Sequence, residues 1–277
     1  MTFTQPSITQ AEINRAQLKP TSNLDAYDLY LRAVSVHYSQ TRRDLDEALR
    51  LLEQAISLDP GYSLAKAFAS SIHVVKVRQG WASREGIARA VQLAREALNS
   101  GRDEPKTIAF AALCLAWLAQ DYGIAVAAVD RAVHLNPSSF DVLMRSGSVR
   151  NLAGDFDSAI DHFLRSIRLS PLDPQLGWAH GGLAIAYIAK GEYEKALEYA
   201  RRAAHEMPQW TANWMCLAIS YAYRGDLEAA RAIVRRIIQI RPTFSISSFR
   251  AASAFLGRAD PYGRWEHGLR LAGVPEE

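Results

Sequence analysis

The chain has 277 residues, with 32 Lys and Arg against 29 Asp and Glu, a balance too mild for the electrostatic footprint of a nucleic-acid binder. Its two cysteines, Cys114 and Cys216, sit far apart inside apolar stretches, which excludes a disulfide framework and a paired-thiol metal site and points to a reducing compartment. A content of 49% apolar residues with only 11 prolines excludes a disordered chain and supports a continuous core.

Residues 1–20, with Pro6 and Pro20, read as a linker or a short extra helix. Residues 1–10 show neither a basic nor an apolar leader region, and the longest strongly apolar run, residues 108–119, is too short to cross a bilayer. A soluble, cytoplasmic protein with no membrane partner is expected. Residues 24–60 then carry Tyr27, Tyr30, Leu31, Ala33 and Tyr38, followed by Ala48, Leu52 and Ala55 before Leu58-Asp59-Pro60, a pair of helices with a slightly long turn. Residues 61–101 are the degenerate pair. Phe68, Ala69 and Ile72 fit its first helix, Ala90 and Ala97 its second, and residues 79–83, with Trp81, a longer connection; Gly101 replaces the closing proline.

Residues 104–137 place Leu113 in the first helix and Ala125, Val129 and Ala132 in the second; residues 138–171 use Gly147, the turn Gly154-Asp155, then Ala159 and Phe163. Residues 174–208 set Leu183, Ala184 and Tyr187 before Lys190-Gly191-Glu192, with Ala196 and Ala203 following. In residues 209–242 the residues Trp214, Leu217, Ala218 and Tyr221 share one helical face, Gly225 can end the first helix in the left-handed conformation, and Asp226 can cap the second. A closing pair, roughly 244–256 and 261–271, departs from the pattern as a terminal cap should.

One spacing runs through these segments. Ala48 and Pro60, Ala125 and Pro137, Ala159 and Pro171, Ala196 and Pro208, and Ala230 and Pro242 all repeat the same offset, and the last four prolines recur at a period near 34 residues. That period with this pattern resembles the tetratricopeptide repeat, so an all-α solenoid of about six helix-turn-helix repeats over residues 21–242 and a cap over 243–277 is expected.

Several phrases go beyond the repeat pattern: Asn23-Leu24-Asp25-Ala26-Tyr27-Asp28-Leu29-Tyr30-Leu31-Arg32-Ala33, Gly80-Trp81, Asp130-Arg131-Ala132-Val133-His134-Leu135-Asn136-Pro137, Arg168-Leu169-Ser170-Pro171-Leu172-Asp173-Pro174 and Gly268-Leu269-Arg270-Leu271-Ala272-Gly273-Val274-Pro275-Glu276. In this order they resemble the C-terminal repeat region of bacterial class III adenylate/guanylate cyclase-like proteins and of related winged-helix transcription regulators. The resemblance covers roughly residues 15–277 and implies a regulatory or partner-binding module. The family's metal-binding aspartates and its recognition helix have no matching positions here, so neither activity transfers.

The remaining signals for chemistry are weak. The seven histidines lack the spacing of a helix-borne zinc site, and His180-Gly181-Gly182 falls inside a repeat helix with no nucleophile elbow. No glycine-rich phosphate loop follows a strand, and Asp44 with Asp46 and Asp155 with Asp157 stand where carboxylates favour a helix N-terminus. Arg231, Arg235, Arg236 and Arg241 offer a site for an acidic partner but read more readily as a solvated basic face. No enzyme, cofactor or metal is expected.

Function should then lie on the first helix of each pair. Register assigns to a concave face Lys66, Ser70 and His73; Phe110, Cys114 and Trp117; Met144, Ser148 and Asn151; Trp178, Gly181 and Ile185; and Met215, Ile219 and Tyr223. Such a face is polar at one end and apolar, with adaptable Met and aromatic residues, at the other. Register alone leaves Trp178 and Met215 divided between groove and core. Ser70, where a carboxylate-clamp repeat needs Asn beside Lys66, disfavours an acidic chaperone tail. The expectation is a scaffold binding a protein or peptide partner. The alternatives are self-association with the groove capped by residues 1–19, and a small-molecule receptor near Trp117 and Trp178.

Overall fold

A computed structural model describes residues 23–253, 258, 260 and 263–277. The expected N-terminal linker, and residues 254–256 and 261–262 of the expected closing pair, lie outside the described residues. The structure is all-α, with no strand among the described residues, and it divides into two compact units, Met1–Pro137 and Ser138–Glu277.

The first unit holds three helix pairs: α1 (Leu24–His37) with α2 (Arg42–Leu58), α3 (Ser63–Arg78) with α4 (Arg84–Ser100), and α5 (Pro105–Cys114) with α6 (Tyr122–Leu135). Side chains that accept a backbone N–H start several of them: Thr41 from Asp44, Ser83 from Gly86 and Asp121 from Ile124. Pro105 opens α5, where its missing N–H is no loss. Helix α5 runs on through one π-helical turn, Leu115–Ala119, and reverses at Gln120 with φ +54°. Gln40 holds the equivalent left-handed place after α1, φ +55°, and its side-chain amide donates to the carbonyl of His37 at 2.7 Å. Each second helix packs on the first helix of the next pair, and α3 packs directly on α5.

The second unit continues with α7 (Phe140–Ala153) and α8 (Phe156–Leu169), α9 (Leu176–Lys190) and α10 (Tyr193–Glu206), and α11 (Thr211–Tyr223) and α12 (Leu227–Ile240), closed by α13 (Ile246–Ser253) and α14 (Arg264–Leu271). Its turns are the expected ones. Gly154, Gly191 and Gly225 take φ of +85°, +76° and +83°, and Asp155 and Asp226 accept from Ser158 N and Ala229 N. Within this unit α7, α9 and α11 pack in sequence along one side.

Small residues mark the crossings because a large one fills the space between pairs. The ring of Phe163 on α8 is fully buried, and a Cβ on Gly182 of α9 would stand 2.2 Å from its Cζ; one on Gly147 of α7 would lie 2.9 Å from the ring. Two pairs therefore close on one aromatic ring. Trp210, also fully buried, meets Trp178 edge-on at 4.6 Å.

The paired acids serve two purposes rather than one. Asp155 caps α8 as expected, but Asp157 reaches Lys190 at the end of α9. Asp46 likewise pairs with Lys76 at the end of α3, and Glu194 with Arg224 just past α11 at 2.6 Å. The later acid at each helix start thus ties one pair to the next.

Candidate functional site

The first helices α3, α5, α7, α9 and α11 carry the residues assigned by register to a binding face, and the structure separates them into three groups. The first consists of residues turned into the protein. Phe110 meets Phe68 edge-on at 5.2 Å in the core of the first unit, and Met144 and Ile219 are core residues of the second. Asn151 is buried, its amide donating to the Gly182 carbonyl at 2.8 Å while its side-chain oxygen has no hydrogen-bond partner. His73 is buried against Gly86 of α4, and burial pushes its imidazole down to about 4.

Phe110, Met144 and Asn151 are placed in the interior because neighbouring first helices pack against one another, α3 on α5 and α7 on α9 on α11, whereas His73 is buried against its own partner helix and Ile219 against Gly268. Positions that face sideways along the row are consumed by that contact. Of the neighbouring register positions, Ser70 and Cys114 are buried as well, and burial pushes the Cys114 thiol up to about 12.

The second group is half-buried but engaged. Lys66 is turned to its own partner helix, with Nζ 2.8 Å from Glu96 of α4. Trp117, in the π-helical turn, lies under the Arg78 guanidinium at 4.9 Å. Tyr223 stacks on Tyr193 at 4.3 Å, with burial pushing its hydroxyl up to about 12.

The third group comprises Trp178 and Ile185, two turns apart on α9, and Met215 on α11. All three are half-buried and pack on the core of the second unit from its margin. They form an apolar margin on successive first helices, shaped for side-chain contact and lacking any acid-base pair.

His180 lies in the interior of α9, its Nδ1 2.7 Å from Glu206 and its ring stacked on Tyr199. Gly181 and Gly182 beside it make room for Asn213 and Phe163. They shape no oxyanion hole. Among the described residues no cluster of His, Cys, Asp or Glu could hold a metal ion, and no helix is long and apolar enough to cross a membrane.

Register reasoning missed an occupant of this face. Helix α14 packs on α11 and reaches α9, so that Gly268 lies against Ile219 and Tyr223. Its one sequence signal is Gly268 itself, a glycine inside an otherwise helix-forming run.

Comparison with known proteins agrees with this architecture. Residues 138–204 match the tetratricopeptide repeat family. The small glutamine-rich tetratricopeptide repeat-containing protein 2 of Mycosarcoma maydis is 32% identical over 90 residues, which cover 32% of this chain and 25% of that protein. A putative adenylate cyclase 3 of Rhizobium meliloti (strain 1021) is 28% identical over 113 residues, covering 40% of this chain and 19% of the other. The chain thus spans a quarter or less of the length of these two relatives. The crystal structure of PilW, a type IV pilus biogenesis factor, superposes with a TM-score of 0.56 at 17% identity, covering 79% of this chain and 94% of that one. The chain carries tetratricopeptide repeats, matched by the family over residues 138–204, on an all-helical fold of the same kind.

Proposed function

We propose that the protein is a non-catalytic scaffold that holds a segment of a partner protein against the first helices of its second unit, with Trp178, Ile185 and Met215 as the principal contacts. Repeat folds of this type bind protein and peptide partners on surfaces built by successive repeats. The observation that carries the reading is the half-buried apolar margin on α9 and α11, where large side chains meet both the core and the surface. On this reading residues 24–242 divide into six repeats, residues 243–277 act as the cap, and the protein works in a reducing, cytoplasmic setting that suits its two buried thiols. The match to part of an adenylate cyclase relative supports a role as the regulatory module of nucleotide or transcriptional signalling.

The test compares the native chain with a Trp178→Glu, Met215→Glu variant shown by circular dichroism to be folded. Proteins captured by each are identified by mass spectrometry, and the candidate partner is then purified and titrated. The expected result is one partner that binds the native chain and loses at least about tenfold in affinity for the variant, the loss of about 1.4 kcal/mol. Equal affinity for both forms overturns the assignment of this face.

A further inference from the structure

The C-terminal segment of the second unit lies on that unit's repeats. It crosses the C-terminal ends of three successive first helices. At α7, the Cβ of Arg258 comes within 3.4 Å of where a Cβ on Gly154 would stand. At α9, the Arg264 guanidinium donates to the carbonyl of Ala189, satisfying an acceptor that the helix end leaves free. At α11, the Tyr223 hydroxyl donates to the Arg264 carbonyl at 3.0 Å, and the His267 and Tyr223 rings lie 5.8 Å apart. Gly268 permits the close approach, because a Cβ there would stand 2.8 Å from both Ile219 Cγ2 and Tyr223 Cε2.

The segment also carries its own stabilising devices. Asp260 caps α14, accepting from Arg264 N at 2.7 Å and Trp265 N at 3.2 Å. Gly273 closes it with φ +91°, and Val274 N returns to the Leu269 carbonyl at 3.0 Å. Beyond it, the Pro275 and Glu276 carbonyls accept from Ile246 N and Ser247 N at the start of α13. Glu266 pairs with Arg250 and with Arg270, which also holds Glu276. Trp265, stacked on Phe249 of α13 at 6.4 Å, and Leu269 supply the buried apolar side. A helix capped at both ends, seated through one apolar side and a set of end contacts, has the form of the helix-in-groove mode of peptide recognition.

We propose that residues 264–274 are an internal ligand of the first-helix face of the second unit, and that the partner this face selects is a short helix presenting an arginine and, one turn later, a glycine that allows close approach, in the order of Arg264 and Gly268. Such a partner binds by displacing α14. The proposal rests on the reading of this face as the binding surface, and it adds both the chemistry of the partner and the regulation of access.

The test uses the full chain, two variants and a fluorescent synthetic peptide of residues 258–277. Gly268→Leu drives a side chain into Ile219 and Tyr223; Arg264→Glu removes the contact to Ala189 and sets a negative charge beside a helix C-terminus. Hydrogen exchange is followed in α9, α11 and α14. The expected result is loss of protection in α14 alone in both variants, and peptide binding at least about tenfold tighter to the variants than to the native chain, whose face is open in only a fraction of molecules. Three outcomes overturn the proposal: α9 and α11 losing protection together with α14, α14 staying protected in both variants, or the peptide binding native and variant chains equally or neither. The peptide is the chain's own, so these outcomes do not depend on an external partner. Failure of the scaffold reading would show instead in the Trp178 and Met215 comparison.

Discussion

The two units solve the same packing problem with different residues. In the second unit, glycine lets backbones approach: Gly147 and Gly182 close on Phe163, and Gly154, Gly191 and Gly225 turn the chain between paired helices. In the first unit two of the three corresponding turns fall to Gln40 and Gln120, only Gly80 keeping a glycine at φ +73°; Gly101 allows one close approach, to Thr107, one helix gains a π-helical turn, and a buried histidine stands where α3 meets α4. The family match covers only residues in the second unit. The lesson is that a chain can keep the architecture after losing some of the glycines that allow tight turns and close approach, by adjusting the backbone instead.

The comparison can be broken first at Phe163. Phe163→Ala removes a fully buried ring shared by two helix pairs and is expected to destabilise the second unit by about 3–5 kcal/mol, read as a fall in denaturation midpoint. Gly182→Ala, which forces a methyl group onto that ring, should cost about 1–3 kcal/mol by overpacking. A loss below about 1 kcal/mol for both would show that the crossing tolerates substitution and that the contrast with the first unit is overstated.

The next test is acidity. Burial lowers the His73 imidazole from 6.5 to about 4, so the folded first unit keeps it neutral while the unfolded chain takes up a proton. Stability from this group is intact above the unfolded value and falls as pH drops from about 6.5 toward 4, by up to about 3 kcal/mol. Hydrogen exchange resolved by unit should show α3 and α4 losing protection over that window, and His73→Leu should flatten the loss. An unchanged profile in the variant removes His73 as its cause.

Smaller effects sharpen the picture. Gly225→Ala places a side chain at φ +83° with no atom near its new Cβ, so only backbone strain acts, about 1–2 kcal/mol in thermal unfolding. Asp46→Ala and Asp157→Ala, one in each unit, break exposed pairs between successive repeats and should each lower stability by less than about 1 kcal/mol, less still at high salt. Equal small losses would place the difference between the units in their packing and not in their surface charge.

Much of this was legible from the residues. The alanines and prolines at constant offset located the pairs, and Gly225-Asp226 announced both the end of α11 and the cap of α12. The π-helical turn was not legible, because residues 108–119 are apolar on nearly every side and give no period from which to count. The binding face was legible only in part. Register names the side of a helix, but whether that side faces solvent depends on the next first helix, and this is what buries Phe110, Met144 and Asn151. Ile219 is covered from another direction, by α14, whose seat no repeat pattern specifies because no further repeat follows to define it.

Phe163 has one more consequence, for the order in which the second unit comes apart. A linear array of repeats can in principle open one member at a time, each held by its intrinsic stability and by its neighbours. A ring gripped by glycines on both α7 and α9 removes that freedom locally, since neither pair can leave without exposing the same side chain. The two pairs of residues 138–208 are thereby coupled, so that opening either one exposes the same ring.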